Sequence, residues 1–116
     1  MIIDRIENVA AGPAKEQDAR GVQMQVLISD KQGAPNFIMR VFEIEPGGHT
    51  PHHSHPWEHE VYVLEGAGAV RQRGKDSPIQ RGSYALVLPD EQHQFVNLGD
   101  TPLKFICVIP ITSRRQ

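Results

Sequence analysis

His49-Thr-Pro-His52-His53-Ser-His55-Pro-Trp57-Glu58-His59 places five of the chain's six histidines in eleven residues. The sixth, His93, stands apart, just after Pro89-Asp-Glu-Gln92. Neutral imidazole is the commonest protein metal ligand, and histidines gathered in this way read first as a metal site. On an extended chain His53 and His55 project to one face, about 6.6 Å apart at roughly 3.3 Å of rise per residue. His59 keeps that parity, and His93 would arrive from a neighbouring strand. The spacing therefore nominates His53, His55, His59 and His93 as ligands. His52 has the opposite parity and His49 lies in the preceding turn, so both are expected in solvent or at a pocket mouth. Two other readings exist. His55 and His59 at i, i+4 would suit a helical zinc pair, but Pro51 and Pro56 break such a helix and the residues that follow are β-rich. Ordinary solvated loop residues would explain one histidine better than they explain an H-x-H-x3-H cluster.

Working outward, the flanking sequence is all β in type. Val61 and Val63 share a face with His59 at period two. Gly66-Ala-Gly68 is a tight turn, residues 69–73 a return strand, and Arg73-Gly-Lys-Asp-Ser-Pro78 a further turn. Residues 82–89 hold a short apolar strand capped by proline. Residues 90–93 turn back into 94–97, and 98–102 turn once more into a last strand over 103–109. Upstream, residues 37–44 alternate, with Ile38, Arg40, Phe42 and Ile44 on one face, and Glu45-Pro-Gly-Gly48 is expected to end that strand. Residues 22–28 form an earlier strand with Val22, Met24 and Val26 on one face, followed by a polar turn over 30–35. Residues 1–20 read as an N-terminal arm, carrying either a short first strand or a mobile tail, and residues 112–116 as a polar tail. About eight short strands and no amphipathic helix predict an all-β sandwich or barrel of jelly-roll type.

Composition narrows the function classes. At 116 residues the chain is expected to be one domain spanning 1–116. Lys plus Arg is 12 and Asp plus Glu is 14, so no basic excess points to nucleic acid and no charge block to a membrane surface. No apolar run approaches the roughly 20 residues of a membrane helix. The first residues, Met1-Ile-Ile-Asp-Arg-Ile-Glu7, lack the apolar core of a secretory signal, so the expected location is the cytoplasm. A single cysteine, Cys107, excludes an intrachain disulfide and a cysteine-rich zinc finger.

The spacing Gly47-x5-His53-x-His55-x3-His59-x6-Gly66 resembles the first motif of the cupin superfamily, and Gly82 through Pro89 to His93-x3-Asn97 resembles the second. Pro35-Asn36-Phe37 and His53-Ser-His-Pro-Trp-Glu-His59 are similar to the small single-domain members. The general motif has glutamate where this chain has His59, and its spacing also admits Glu60; parity and the gap to Gly66 favour His59. In the second motif the proline is displaced and Asp90 replaces a glycine. The resemblance implies a cupin-type jelly-roll β-barrel with one divalent transition metal held by four histidines. Manganese is favoured, and iron, nickel, copper or zinc is also compatible with such a ligand set. It further implies a homodimer, with residues 1–20 as an arm exchanged between chains or an edge strand added to the neighbouring sheet.

Around the ligands, Arg40, Phe42, Trp57, Phe95, Phe105 and Cys107 are the candidates to line a substrate pocket, with Asn97 sharing the parity of His93. Arg40 is the odd charge on an apolar face. It fits either a carboxylate substrate or an ion pair at the barrel rim with Glu43 or Glu45. Trp57 is expected to lid the mouth or meet a partner chain, and Cys107 to be a small core residue. The leading expectation is a metal-dependent oxidoreductase of dioxygenase type acting on a small oxygen-bearing molecule. The alternatives are a metal-dependent isomerase or lyase on a sugar or keto acid, and a non-catalytic module binding a small ligand or a metal.

Overall fold

The computed structural model describes residues 1–14 and 17–115; Lys15 and Glu16 of the arm and Gln116 of the tail lie outside the described residues. Among the described residues nine strands follow one another: β1 (Gly12–Pro13), β2 (Arg20–Ile28), β3 (Phe37–His49), β4 (His59–Glu65), β5 (Ala67–Gln72), β6 (Lys75–Gln80), β7 (Tyr84–Val87), β8 (Gln94–Val96) and β9 (Leu103–Pro110). Every pairing is antiparallel, in the order β6-β5-β8-β3-β9-β4-β7, with β2 on β3 and β1 on β2. The sheet curls into a nearly closed barrel. The expected all-β jelly-roll is what the chain forms.

Period-two burial builds the interior. On β9 Leu103, Phe105, Cys107 and Ile109 are buried, and on β4 so are His59, Val61 and Val63. All of these but His59 pack with Ile38 and Ile44 of β3 and with Val22, Val87 and Phe95 into one core cluster. Val41, on the opposite face of β3, is also buried. Its neighbour across β2, Gln25, holds the arm, donating from Nε2 to the carbonyls of Ile6 at 3.2 Å and Val9 at 2.9 Å.

Three expectations need correction. Glu45-Pro-Gly-Gly48 does not end β3. Gly47 adopts φ +82°, a conformation that suits glycine, and the strand bends there instead of stopping. The Gly47 N–H donates to the Asn97 carbonyl at 3.1 Å and the Asn97 N–H to the Gly48 carbonyl at 3.0 Å. Thus β3 leaves β9 after Ile44↔Leu103 and joins β8 at His49↔Val96. Second, the turn expected over 73–78 shrinks to Arg73-Gly74, at φ 52° and 75°, the positive pair that a two-residue hairpin demands. Residues 75–80 are then an edge strand, where Pro78 is tolerated because no ladder partner needs its missing N–H. Third, the last residues are not simply a tail. Ile111–Arg115 form a 3-10 turn anchored by buried Ile111, whose N–H donates to the Asn36 carbonyl at 2.8 Å.

Candidate metal centre

Backbone pairing explains why distant histidines meet. His53 and His93 face each other across an isolated antiparallel bridge, with His53 N–H to His93 O at 3.2 Å and His93 N–H to His53 O at 2.9 Å. Residues directly opposite in such a bridge send their side chains to the same face. His55 follows at period two, and its carbonyl accepts the Asp90 N–H, which ties this loop to the turn before His93. His59 opens β4 and points inward with Val61 and Val63.

Ring nitrogens of His53, His55 and His93 lie within 4.8 Å of one another, which makes these three a candidate metal site. The Nε2 atoms of His53 and His55 are 3.1 Å apart. His59 stands beside this trio, its ring centroid 5.0 Å from His93 and 5.1 Å from His55. It is only 6% exposed, and its buried Nε2 has no hydrogen-bond partner. An unsatisfied buried nitrogen of this kind costs about 1–3 kcal/mol, a cost removed by any species that accepts its lone pair or bonds its hydrogen. On His93, Nδ1 lies 2.9 Å from the Glu91 carbonyl. A carbonyl only accepts, so Nδ1 carries the hydrogen and Nε2 keeps a lone pair.

Electrostatics keep the group ready to coordinate. Burial pushes His59 down to about 3, with His93, Arg40, His55 and His53 adding repulsion. Burial also pushes His53 down to about 4, reinforced by His55, His93, His52 and Arg40. His55 is lowered too, by burial and then by His93 and Arg40. All three are therefore neutral at pH 7, the form in which imidazole is a ligand. Four imidazoles with no carboxylate among them suit manganese, iron, nickel, copper or zinc and disfavour calcium and magnesium.

The four histidines line a cavity of about 50 Å³ together with Arg40, Phe42, Phe95, Phe105 and Cys107, five of the six pocket candidates. Trp57, the sixth, is not in the lining; it stacks behind His55 at 4.5 Å and 7°. Asn97 is not in the lining either. Its amide donates to the carbonyls of Ile44 at 2.8 Å and Thr101 at 2.9 Å, and its Oδ1 accepts from Gly99 N–H, so it fastens strands rather than facing a ligand. Arg40 forms no ion pair among the described residues, so the rim pair with Glu43 or Glu45 is absent. Its guanidinium lies 4.9 Å over the Phe42 ring and donates from Nη2 to Cys107 Sγ at 3.4 Å, while its Nε is buried without a partner. Cys107 Sγ is also 3.3 Å from His59 Nδ1, and burial raises its thiol. Glu58 and Glu60 are exposed. His49 sits outside the cluster near Gln94, and His52 is exposed. Sequence reading missed Thr50 and Pro51, both buried in the lining. The Thr50 hydroxyl accepts the Phe95 N–H at 2.8 Å, a tertiary contact without a periodic signal.

Comparison with known proteins agrees with the fold. The family described as a cupin domain matches residues 40–109. An oxalate-binding protein from Thermotoga maritima is 33% identical over 110 residues, covering 91% of this chain and 84% of that protein. Among solved structures, the polyketide cyclase RemF from Streptomyces resistomycificus superposes at TM-score 0.91 with 32% identity, over 96% of this chain and 80% of that one. A predicted oxalate decarboxylase from Thermotoga maritima superposes at TM-score 0.82 with 27% identity, over 94% of this chain and 98% of that one.

Proposed function

The chain belongs to the cupin family, and from that premise we propose that it is a metal-dependent oxidoreductase acting on a small, carboxylate-bearing molecule. The observation that carries the reading is the buried, unpartnered Nε2 of His59 beside three converged imidazoles. His53, His55, His59 and His93 would hold one divalent transition metal, manganese first. Bound there, the metal would supply Lewis-acid polarisation and electron transfer to an oxygen ligand.

The residues around it would do the rest. Arg40 has a buried Nε with no partner and stands in the same cavity, so it would receive the carboxylate of the ligand. Phe42, Phe95 and Phe105 would exclude water and keep that charge pairing strong. A cavity of about 50 Å³ suits a ligand of a few heavy atoms. The small dicarboxylate named for the Thermotoga relative is therefore the nearer guide to chemistry. Among the described residues the lining has no carboxylate, lysine or tyrosine to shuttle protons, which weighs against isomerase chemistry.

A second reading, a non-catalytic binding module for a small dicarboxylate, is favoured by the same Arg40 and by the name of that relative. We further take the working unit to be a homodimer. The test is metal analysis of protein prepared without a histidine tag, followed by oxygen uptake with small carboxylates. Near-stoichiometric manganese or iron with oxygen consumption supports the oxidoreductase. Tight oxalate retention without turnover supports the binding module. Failure to take up any metal overturns the oxidoreductase.

A further inference from the structure

Cys107 stands between the two working parts of the cavity, and the proposed function gives it no task. Its Sγ lies 3.3 Å from His59 Nδ1 and 3.4 Å from Arg40 Nη2. A guanidinium N–H only donates, so toward Arg40 the sulfur is an acceptor. Toward His59 two senses are open. If the thiol donated to Nδ1, the neutral ring would carry its hydrogen on Nε2, buried and without an acceptor. If Nδ1–H donates to the sulfur, Nε2 keeps its lone pair, and the only donor left without an acceptor is the S–H, a far weaker one than a ring N–H. His93 already shows the second arrangement, with Nδ1–H given to the Glu91 carbonyl. Ligating histidines are generally fixed by such a bond from the other ring nitrogen. For His59 the acceptor on hand is a sulfur.

We infer that Cys107 is a positioning residue: its sulfur holds His59 in the Nδ1–H tautomer, with Nε2 offered to the cavity, and holds the Arg40 guanidinium beside it. One side chain thereby orients a metal ligand and the anion anchor together. The inference rests on the metal reading for its consequence, but the tautomer can be read without metal.

The experiment is nitrogen-15 NMR of the histidine rings in the metal-free full chain, with His59 assigned by loss of its signals in His59→Gln. Wild type is expected to show His59 with hydrogen on Nδ1. Cys107→Ala, and Cys107→Val, which fills the space without an acceptor, are expected to move it toward the Nε2–H form. In both variants manganese affinity by calorimetry should fall about tenfold, the low end of what losing such a partner costs, and oxalate affinity of the manganese-loaded protein should fall with it. Wild-type His59 found as the Nε2–H tautomer overturns the inference, whether or not the variants fold. So do variants that melt earlier but keep both the tautomer and the manganese affinity, because Cys107 would then be packing alone. A wild type that takes up no manganese or other divalent ion sinks the metal reading instead, and the tautomer comparison still decides the role of Cys107.

Discussion

His59 and Glu60 are adjacent, and both offer metal-binding atoms, yet the pleat of β4 sends them to opposite sides. His59 is 6% exposed inside the barrel, whereas Glu60 is exposed outside. Parity, with the gap to Gly66, foresaw this, because one step along a strand exchanges its faces. His59→Ala should therefore weaken metal binding by more than the roughly 10–100-fold typical of losing an outer partner. Glu60→Ala should leave metal content unchanged by mass spectrometry, and the reverse result would move the ligand to Glu60. The same burial fixes a pH dependence for the metal-free protein. His53 and His59 titrate near 4 and 3 when folded but near 6.5 when unfolded. Between those values the unfolded chain binds protons that the folded chain does not, so stability falls as pH drops from about 6.5 toward 4 and 3. Urea midpoints of metal-free protein should decline over that window, and His59→Gln should make the decline shallower.

At the scale of elements, the parts legible in the sequence were those with a period. The strands carrying Val61 and Val63, or Phe105 and Cys107, alternate cleanly and were placed within a residue or two. The edge strand β6 was not, because in Lys75-Asp-Ser-Pro-Ile-Gln80 only Ile79 is buried and nothing alternates. The continuation of β3 through Pro46-Gly47-Gly48 was hidden for another reason: a glycine at φ +82° reads as a stop when its new partner, β8, lies some 45 residues on. Asn97 looked like a cavity residue by parity and proved to be a fastener, since its amide satisfies carbonyls on β3 and on the 98–102 turn. Removing it strands buried groups at about 1–3 kcal/mol each. Asn97→Leu should therefore cost about 3 kcal/mol in chemical denaturation. Because the residue does not line the cavity, the folded fraction should still bind metal with unchanged stoichiometry.

At the scale of the whole molecule the β6 and β7 edges of the sheet are built differently. The β6 edge carries Lys75, Asp76 and Pro78, residues that discourage another strand from pairing there. The β7 edge carries Tyr84 and Leu86, which are 85% and 56% exposed. Cross-strand register continues that face inward: Tyr84 lies beside Tyr62, then Ile106 and Val41, and Leu86 lies beside Glu60, then Val108 and Met39. Leu88, 49% exposed, extends it. An exposed apolar cluster of this kind, even with Glu60 in it, marks an interaction surface more often than an ordinary exterior. A second copy can cover it by two-fold symmetry, each patch meeting its own equivalent. Light scattering should then give twice the chain mass, and Tyr84→Lys combined with Leu86→Lys should give the single-chain mass. Both side chains are exposed in the isolated chain, so these changes should alter its own folding by no more than about 0.5 kcal/mol each. Metal content should survive, because neither residue touches the histidines. If the double variant stayed dimeric while loss of residues 1–10 gave monomer, the arm rather than the β7 face would join the two chains.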